Sequence, residues 1–167
     1  PVIVNRNTLN KLEDNLIMFF LGKRRKASKI LDDQKQNMLD DQKIIDTLVN
    51  MTKLVDEISS SITSSNLENF GKILNENWML KKSLSDKIAD DDIEEIYKTG
   101  LNSGAEGGKV LGAGGGGFIM FYCPKRNHEK LRKAFYKLKE LKFKFDRTGS
   151  KIIYVGDLNQ KIWRNNE

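Results

Sequence analysis

The stretch Gly112-Ala113-Gly114-Gly115-Gly116-Gly117 places five glycines in six positions. In regular structure each glycine costs roughly 1 kcal/mol of backbone entropy relative to alanine. A run of this kind has a use where φ must be positive or where something must approach the backbone closely. Consecutive N–H groups with no side chains in the way form a concavity for an anion, and phosphate is the obvious guest. Two blander readings compete with this one. A flexible linker is not normally pinned between hydrophobic segments, yet Lys109-Val110-Leu111 precedes this run and Phe118-Ile119-Met120-Phe121-Tyr122-Cys123 follows it. A tight turn needs one or two glycines, not five. No Gly-Lys-Ser/Thr follows and no helix begins after the loop, which excludes a P-loop and a dinucleotide-binding turn.

The remaining candidate residues are more ordinary. Lys109 either neutralises phosphate charge or solvates a strand end, and the second reading is slightly favoured. Asp32, Asp33, Asp40 and Asp41 read as a solvated helix face. His128 has no second histidine or acid pair near it in sequence and reads as a surface or capping residue. Cys123, the single cysteine, reads as a small buried hydrophobe, and it permits no internal disulfide. Trp78 reads as packing against a sheet. No residue is assigned to a metal.

Elements must hold the loop in place. Residues 12–21 (LEDNLIMFFL) suit a central strand ending at Gly22. From Lys26 to about Gln42, Ala27, Ile30, Leu31, Met38 and Leu39 recur at helical spacing, and Ile44 to Ile58 continue the pattern to Ser60. The serine-rich run from Ser59 to Ser65 is expected to break that helix. Asn66 then caps another, carrying Leu67, Phe70, Ile73, Leu74 and Trp78. A fourth helix runs from Asp91 to Ser103, with acids at its positive end and Gly104 just beyond it. Lys109–Leu111 and Phe118–Cys123 read as strands, and His128–Leu141 as a helix with Leu131, Phe135 and Leu138 inward. Phe143–Phe145 and Ile152–Val155 read as two strands joined at Thr148-Gly149, and the tail from Leu158 is polar. This order implies an α+β fold with helices packed on one face of an antiparallel sheet.

The 167 residues suffice for one domain, and 38% hydrophobic with 31% charged residues is ordinary for a soluble globular chain. No apolar run approaches the ~20 residues needed to span a bilayer, and no signal-peptide pattern is present; the expected location is the cytoplasm. The net charge of +6 fits an anionic partner such as nucleic acid, a membrane surface or a phosphorylated metabolite, or simply a soluble surface. The opening Pro1-Val2-Ile3-Val4 reads as a strand end and points to an internal fragment, although methionine removal before proline would leave the same terminus.

Lys109-Val110-Leu111-Gly112-Ala113-Gly114-Gly115-Gly116-Gly117-Phe118 resembles the third motif of the GHMP kinases. The flanking Gly104–Lys109, Phe121-Tyr122, Asn77–Ser85 and Phe19–Ala27 resemble the D-glycero-D-manno-heptose 7-phosphate kinase branch, with Arg25 at its arginine position. The resemblance covers residues 12–155. It implies that residues 1–167 are a C-terminal domain of ferredoxin-like character, whose loop Gly112, Ala113, Gly114, Gly115, Gly116 and Gly117 lies close to phosphate and substrate. It further implies ATP and Mg²⁺ as cofactors, a sugar phosphate as acceptor, and phosphorylation at the anomeric hydroxyl. Arg25 and Lys109 are the substrate-binding candidates; for Arg25 an exposed place in the basic quartet Lys23–Lys26 is an equal alternative. The family's Gly-Leu-Gly-Ser-Ser nucleotide loop and its aspartate motif have no match here. The expectation is therefore a missing N-terminal domain, no catalytic residue in this chain, and a fragment inactive alone.

Two rival readings stand behind this one. The strand Gly117–Tyr122 and the basic, aromatic stretch Lys125–Arg147 superficially resemble an RNA-recognition module. A non-catalytic relative that keeps the fold for assembly is the other.

Overall fold

Five hydrophobic residues, Leu16–Phe20, form the strand β1 around which the other elements are arranged. In the computed structural model, residues 2–22, 27–146 and 149–152 are described. A helix α1 (Arg6–Asn15) precedes β1, opened by Asn5, whose side chain accepts the Thr8 N–H at 2.8 Å. Thus the expected strand over 12–21 is halved. Residues 12–15 are the last turn of a helix, and Leu12 packs with Leu16 in one buried cluster. Val2–Val4 have no regular structure: with no strand among the described residues to pair them, hydrophobic composition alone does not make a strand.

Four helices then cross from β1 to the next strand: α2 (Ala27–Asp40), α3 (Gln42–Thr63), α4 (Phe70–Lys82) and α5 (Asp91–Asn102). The serine run does end α3, but three residues beyond the expected Ser60. The Thr63 and Ser64 hydroxyls donate to the carbonyls of Ser59 and Ser60, so the helix continues to Thr63, and Ser65 turns the chain at φ +62°. Asn66 caps only the turn before α4, accepting the Glu68 N–H at 3.1 Å; the helix itself starts at Phe70. Helix α5 follows its expectation closely. The Asp90 carboxylate accepts the Ile93 N–H at 3.0 Å, and beyond the other end Gly104 and Ala105 donate to the carbonyls of Leu101 and Gly100, both 5→2 and 6→1 bonds of a Schellman cap.

Strands β2 (Gly107–Val110) and β3 (Phe118–Tyr122) form the hairpin that carries the glycine loop. After a 3₁₀ turn (Lys125–Asn127), helix α6 (His128–Ala134) leads to a short strand, β4 (Lys139–Glu140). The sheet order is β2-β3-β1-β4, with every adjacent pair antiparallel. That order, with α2–α5 and then α6 as the two crossovers, is the split β-α-β of a ferredoxin-like fold. The expected helix over 128–141 is too long. Phe135 leaves helical geometry, and Arg132 reaches forward to clamp Glu140 at 2.8 Å where the chain pairs with Phe19 and Phe20. Residues 143–145, expected as a strand, are irregular; the Phe145 N–H is bonded to the Glu13 carboxylate at 2.8 Å. Ile152 is also irregular. Thr148, residues 153–155 and the tail from 158 lie outside the described residues.

Alternation along the strands sorts the core. Ile17, Phe19, Val110, Ile119 and Phe121 point to one face, where Ile93 and Tyr97 of α5, Leu131 of α6 and Phe135 join them. Three ring contacts tie this layer: Phe19–Phe135 at 5.0 Å, Phe121–Phe135 at 5.7 Å and Tyr97–Phe121 at 6.0 Å. On the opposite face Leu16 and Tyr122 join Leu12, Phe70 and Leu74 in a second, smaller cluster. Helix α4 runs beside β2 and contributes to both clusters, Trp78 to the first and Phe70 and Leu74 to the second. The backbones touch there, because a Cβ on Gly107 would collide with the Gly71 carbonyl oxygen. Gly107 therefore serves helix–strand packing, while a Cβ on Gly108 would meet Phe121 and the Met120 carbonyl of β3.

Candidate functional site at the glycine loop

The loop between β2 and β3 is held at four points. Leu111 N–H donates to the Phe118 carbonyl at 2.8 Å and closes the hairpin; Leu21 N–H donates to the Gly117 carbonyl at 2.9 Å and ties the loop to the end of β1. Gly115 N–H donates to the Ile88 carbonyl at 2.7 Å, anchoring the loop to the α4–α5 connection. The Lys81 ammonium, from α4, donates to the Gly112 carbonyl. A chain segment fixed in this way is not a linker. Gly114 has φ +101°, and a Cβ there would stand 2.8 Å from the Ile88 Cγ2 and 3.0 Å from its carbonyl oxygen, so glycine is required by both backbone and packing.

Gly112 and Gly117 differ. Both have positive φ, +71° and +83°, but a Cβ at either would meet nothing within 4 Å. Internal packing does not explain why they lack side chains; positive φ favours glycine at both, and the space beside them leaves the backbone open. Gly115 N–H is bonded inward, while those of Gly114, Gly116 and Gly117 have no acceptor among the described residues.

Lys109 is not a solvated strand end. It lies on β2, half-buried, with its ammonium donating to Asn77 Oδ1 at 2.8 Å. Asn77, 7% exposed, and Lys81 are one helical turn apart on α4, so both face the foot of the loop. Burial lowers the pKa of Lys109, and burial together with the nearby Lys109 ammonium brings that of Lys81 down to about 8. Neither lysine has a carboxylate partner among the described residues; their hydrogen-bond acceptors are an amide and a peptide carbonyl. By contrast Lys82, next in sequence, is paired with Glu94 at 2.5 Å. Sequence reasoning gave Asn77 and Lys81 no role. Their i, i+4 spacing was the available signal, but only the packing of α4 against β2 brings them to Lys109.

The other candidates resolve as follows. Arg25 lies outside the described residues. His128 is buried rather than on the surface, its Nε2 2.9 Å from the Cys123 carbonyl oxygen. Cys123 is a buried hydrophobe as expected, and burial pushes its thiol up to about 11, away from reactivity. Trp78 is fully buried against Tyr97, at 5.9 Å. Asp41 caps α3 and Asp33 pairs with Lys87 at 2.5 Å. No group of three His, Cys, Asp or Glu side chains suited to a metal occurs among the described residues.

The aromatic platform of the RNA reading is not formed. Tyr122 is buried under Phe70 at 5.0 Å, and Phe135 is in the core, while Tyr136 is widely exposed at 76%. An open groove of about 970 Å³ lies at the other end of β3 beside Tyr122 and Arg126, where Lys11 and Lys125 are offset by Glu68 and Glu106. Its mixed charge makes it a poorer anion site than the loop.

Comparison with known proteins agrees with this picture. The family described as GHMP kinases C terminal matches residues 55–140, from within α3 to the end of β4, and includes the loop and both lysines. The chain belongs to that family. The D-glycero-alpha-D-manno-heptose 7-phosphate kinase of Campylobacter jejuni is 27% identical over 137 residues, covering 82% of this chain and 40% of that protein. The bifunctional fucokinase/GDP-fucose pyrophosphorylase of Arabidopsis thaliana is 23% identical, covering 84% of this chain and 13% of its own length. The crystal structure of L. major mevalonate kinase in complex with R-mevalonate superimposes with a TM-score of 0.66 at 20% identity, over 73% of this chain and 37% of that one, and shows the common fold. The chain thus spans less than half the length of the curated relatives it matches. Among the described residues no helix is long and apolar enough to cross a membrane.

Proposed function

We propose that residues 1–167 form the C-terminal domain of an ATP-dependent sugar kinase that phosphorylates a sugar phosphate, D-glycero-D-manno-heptose 7-phosphate, at its anomeric hydroxyl. The observation that carries this reading is the pinned glycine loop, open at Gly112 and Gly117 and flanked by two lysines without acidic partners among the described residues. The likeness to the Campylobacter jejuni kinase supports the choice of acceptor. Phosphoryl transfer is catalysed by positioning and by stabilising spread negative charge, with little covalent chemistry asked of the protein. The loop Gly112–Gly117 would supply N–H donors to a phosphate, and Lys109 would supply positive charge. Arg25 is retained as a second substrate-binding candidate.

The cofactors of this reading are ATP and Mg²⁺. Lysines and free N–H groups suit the phosphates of a nucleotide or an acceptor. The described residues do not suit Mg²⁺, lacking a carboxylate cluster, and no step through the metal is assigned to them. The nucleotide loop, the catalytic groups and the metal site would belong to an N-terminal ATP-binding domain, and this chain alone would be inactive. The cytoplasm is the expected compartment.

The test is an acceptor panel. The full-length protein carrying this chain is incubated with ATP, Mg²⁺ and the heptose 7-phosphate, galactose, fucose or mevalonate, and products are followed by ³¹P NMR. A new anomeric phosphate on the heptose 7-phosphate is expected. Preferential turnover of an acceptor with no phosphate would refute the acceptor assignment.

A further inference from the structure

Two half-buried lysines that share one small region carry a cost that no acid among the described residues offsets. Burial disfavours each ammonium, and mutual repulsion disfavours Lys81 further. The hydrogen bonds present, to Asn77 Oδ1 and to the Gly112 carbonyl, are to neutral acceptors and leave both charges uncompensated. Beside them Asn77 Nδ2 donates to no group among the described residues and stays open to solvent at the edge of a largely buried side chain. The N–H groups of Gly114, Gly116 and Gly117 open from the adjoining loop. Two cations and an amide from α4 and β2 thus meet at the foot of a loop whose Gly112 carbonyl is held by Lys81 and whose backbone carries bare donors.

We propose that Asn77, Lys81 and Lys109 form a binding site for a phosphate group at the foot of the glycine loop. This deepens the kinase reading and rests on it. The group is either the monoester phosphate that the acceptor already carries or the terminal phosphate of the nucleotide; the chemistry is shared. A dianion seated there receives charge-assisted bonds from both ammonium groups and the Asn77 amide, and relieves the repulsion between the lysines.

The test uses the full-length protein and calorimetric titration with inorganic phosphate, glucose 6-phosphate, glucose and the non-hydrolysable ATP analogue AMPPNP. Lys81→Met, Lys109→Met and Asn77→Asp are compared with Lys72→Met, an exposed lysine on the same helix. Asn77→Asp is nearly isosteric and supplies an internal carboxylate to Lys109, so it fills the site with the protein's own anion while keeping the fold. Each of the three site variants should weaken inorganic phosphate at least tenfold, and Lys72→Met should leave it within twofold. Loss of glucose 6-phosphate with AMPPNP unchanged assigns the site to the acceptor, and the reverse assigns it to the nucleotide. Unchanged affinity for every phosphate ligand in Asn77→Asp and in both lysine variants would overturn the proposal. If they still phosphorylate a sugar phosphate normally, the kinase reading survives that failure. Lost phosphate binding in a protein that phosphorylates no sugar would keep the site and reject the kinase.

Discussion

At the scale of single residues, Lys81 is the clearest case of stability given up at one position. Its folded pKa of about 8 lies below the 10.5 of an unperturbed lysine, for burial first and Lys109 second. Below pH 8 both folded and unfolded chains hold the proton, and the full cost of burying the charge is present. Between pH 8 and 10.5 the unfolded state binds more protons, so this residue's contribution to stability rises with pH. Lys81→Met should therefore raise Tm at pH 7, by roughly 2–4 °C per kcal/mol recovered in a domain of this size, and flatten the pH profile above 8. Thermal unfolding from pH 7 to 10 checks both. Phosphate affinity should move oppositely, falling as pH rises through 8, because Lys81 loses its charge while a phosphomonoester, with its second pKa near ~6, keeps its own. From the elements packed here, the titratable groups involved are Lys81 on α4 and Lys109 on β2; the loop brings none. Lys109 could be picked out from sequence because it borders the glycines. Lys81 could not, since a lysine is buried only by tertiary packing that no local pattern encodes.

At the scale of elements, the parts with strong local chemistry were legible and those decided by distant partners were not. Helix α5 carries its own start and stop in Asp90, Asp91, Asp92, Glu94 and Gly104, and it forms where those residues place it. Asp90→Ala should cost about 1 kcal/mol through loss of the Ile93 N–H acceptor, measured by denaturant unfolding. The boundary between α1 and β1 was misread because Leu12 to Asn15 can serve either element, and a cap at Asn5 with a partner strand at Leu16–Phe20 decides it. The end of α6 was misread likewise, since the clamp from Arg132 to Glu140 and the pairing with Phe19 and Phe20 come from outside the segment. Gly107 was legible as a glycine but not in purpose. Gly107→Ala forces β2 away from the Gly71 carbonyl and should destabilise by about 3 kcal/mol or more, with α4 displaced. Its circular dichroism and unfolding midpoint would show whether the strand can shift cheaply.

At the scale of the whole molecule, the sheet order β2-β3-β1-β4 puts the loop at one end of two central strands, fastened to Leu21 after β1 and to Ile88 before α5. The fold thus presents a rigid backbone edge with two cations at its foot. The antiparallel sheet and helical layer were readable from periodicity and order of elements. The second cluster around Leu12, Phe70 and Tyr122 was not, because it joins residues more than a hundred positions apart. Function at this scale depends on what faces the loop, and the most direct measurement separates folding from chemistry there. Gly117→Asn in the full-length protein tolerates positive φ and meets no neighbour within 4 Å, so Tm should change by only about 2–4 °C, the equivalent of roughly 1 kcal/mol. Steady-state phosphorylation of the heptose 7-phosphate should fall about 100-fold in kcat/KM, as misplacing a reacting phosphate does. Wild-type kcat/KM in a stably folded Gly117→Asn would contradict the account, because the loop would then have no part in phosphoryl transfer.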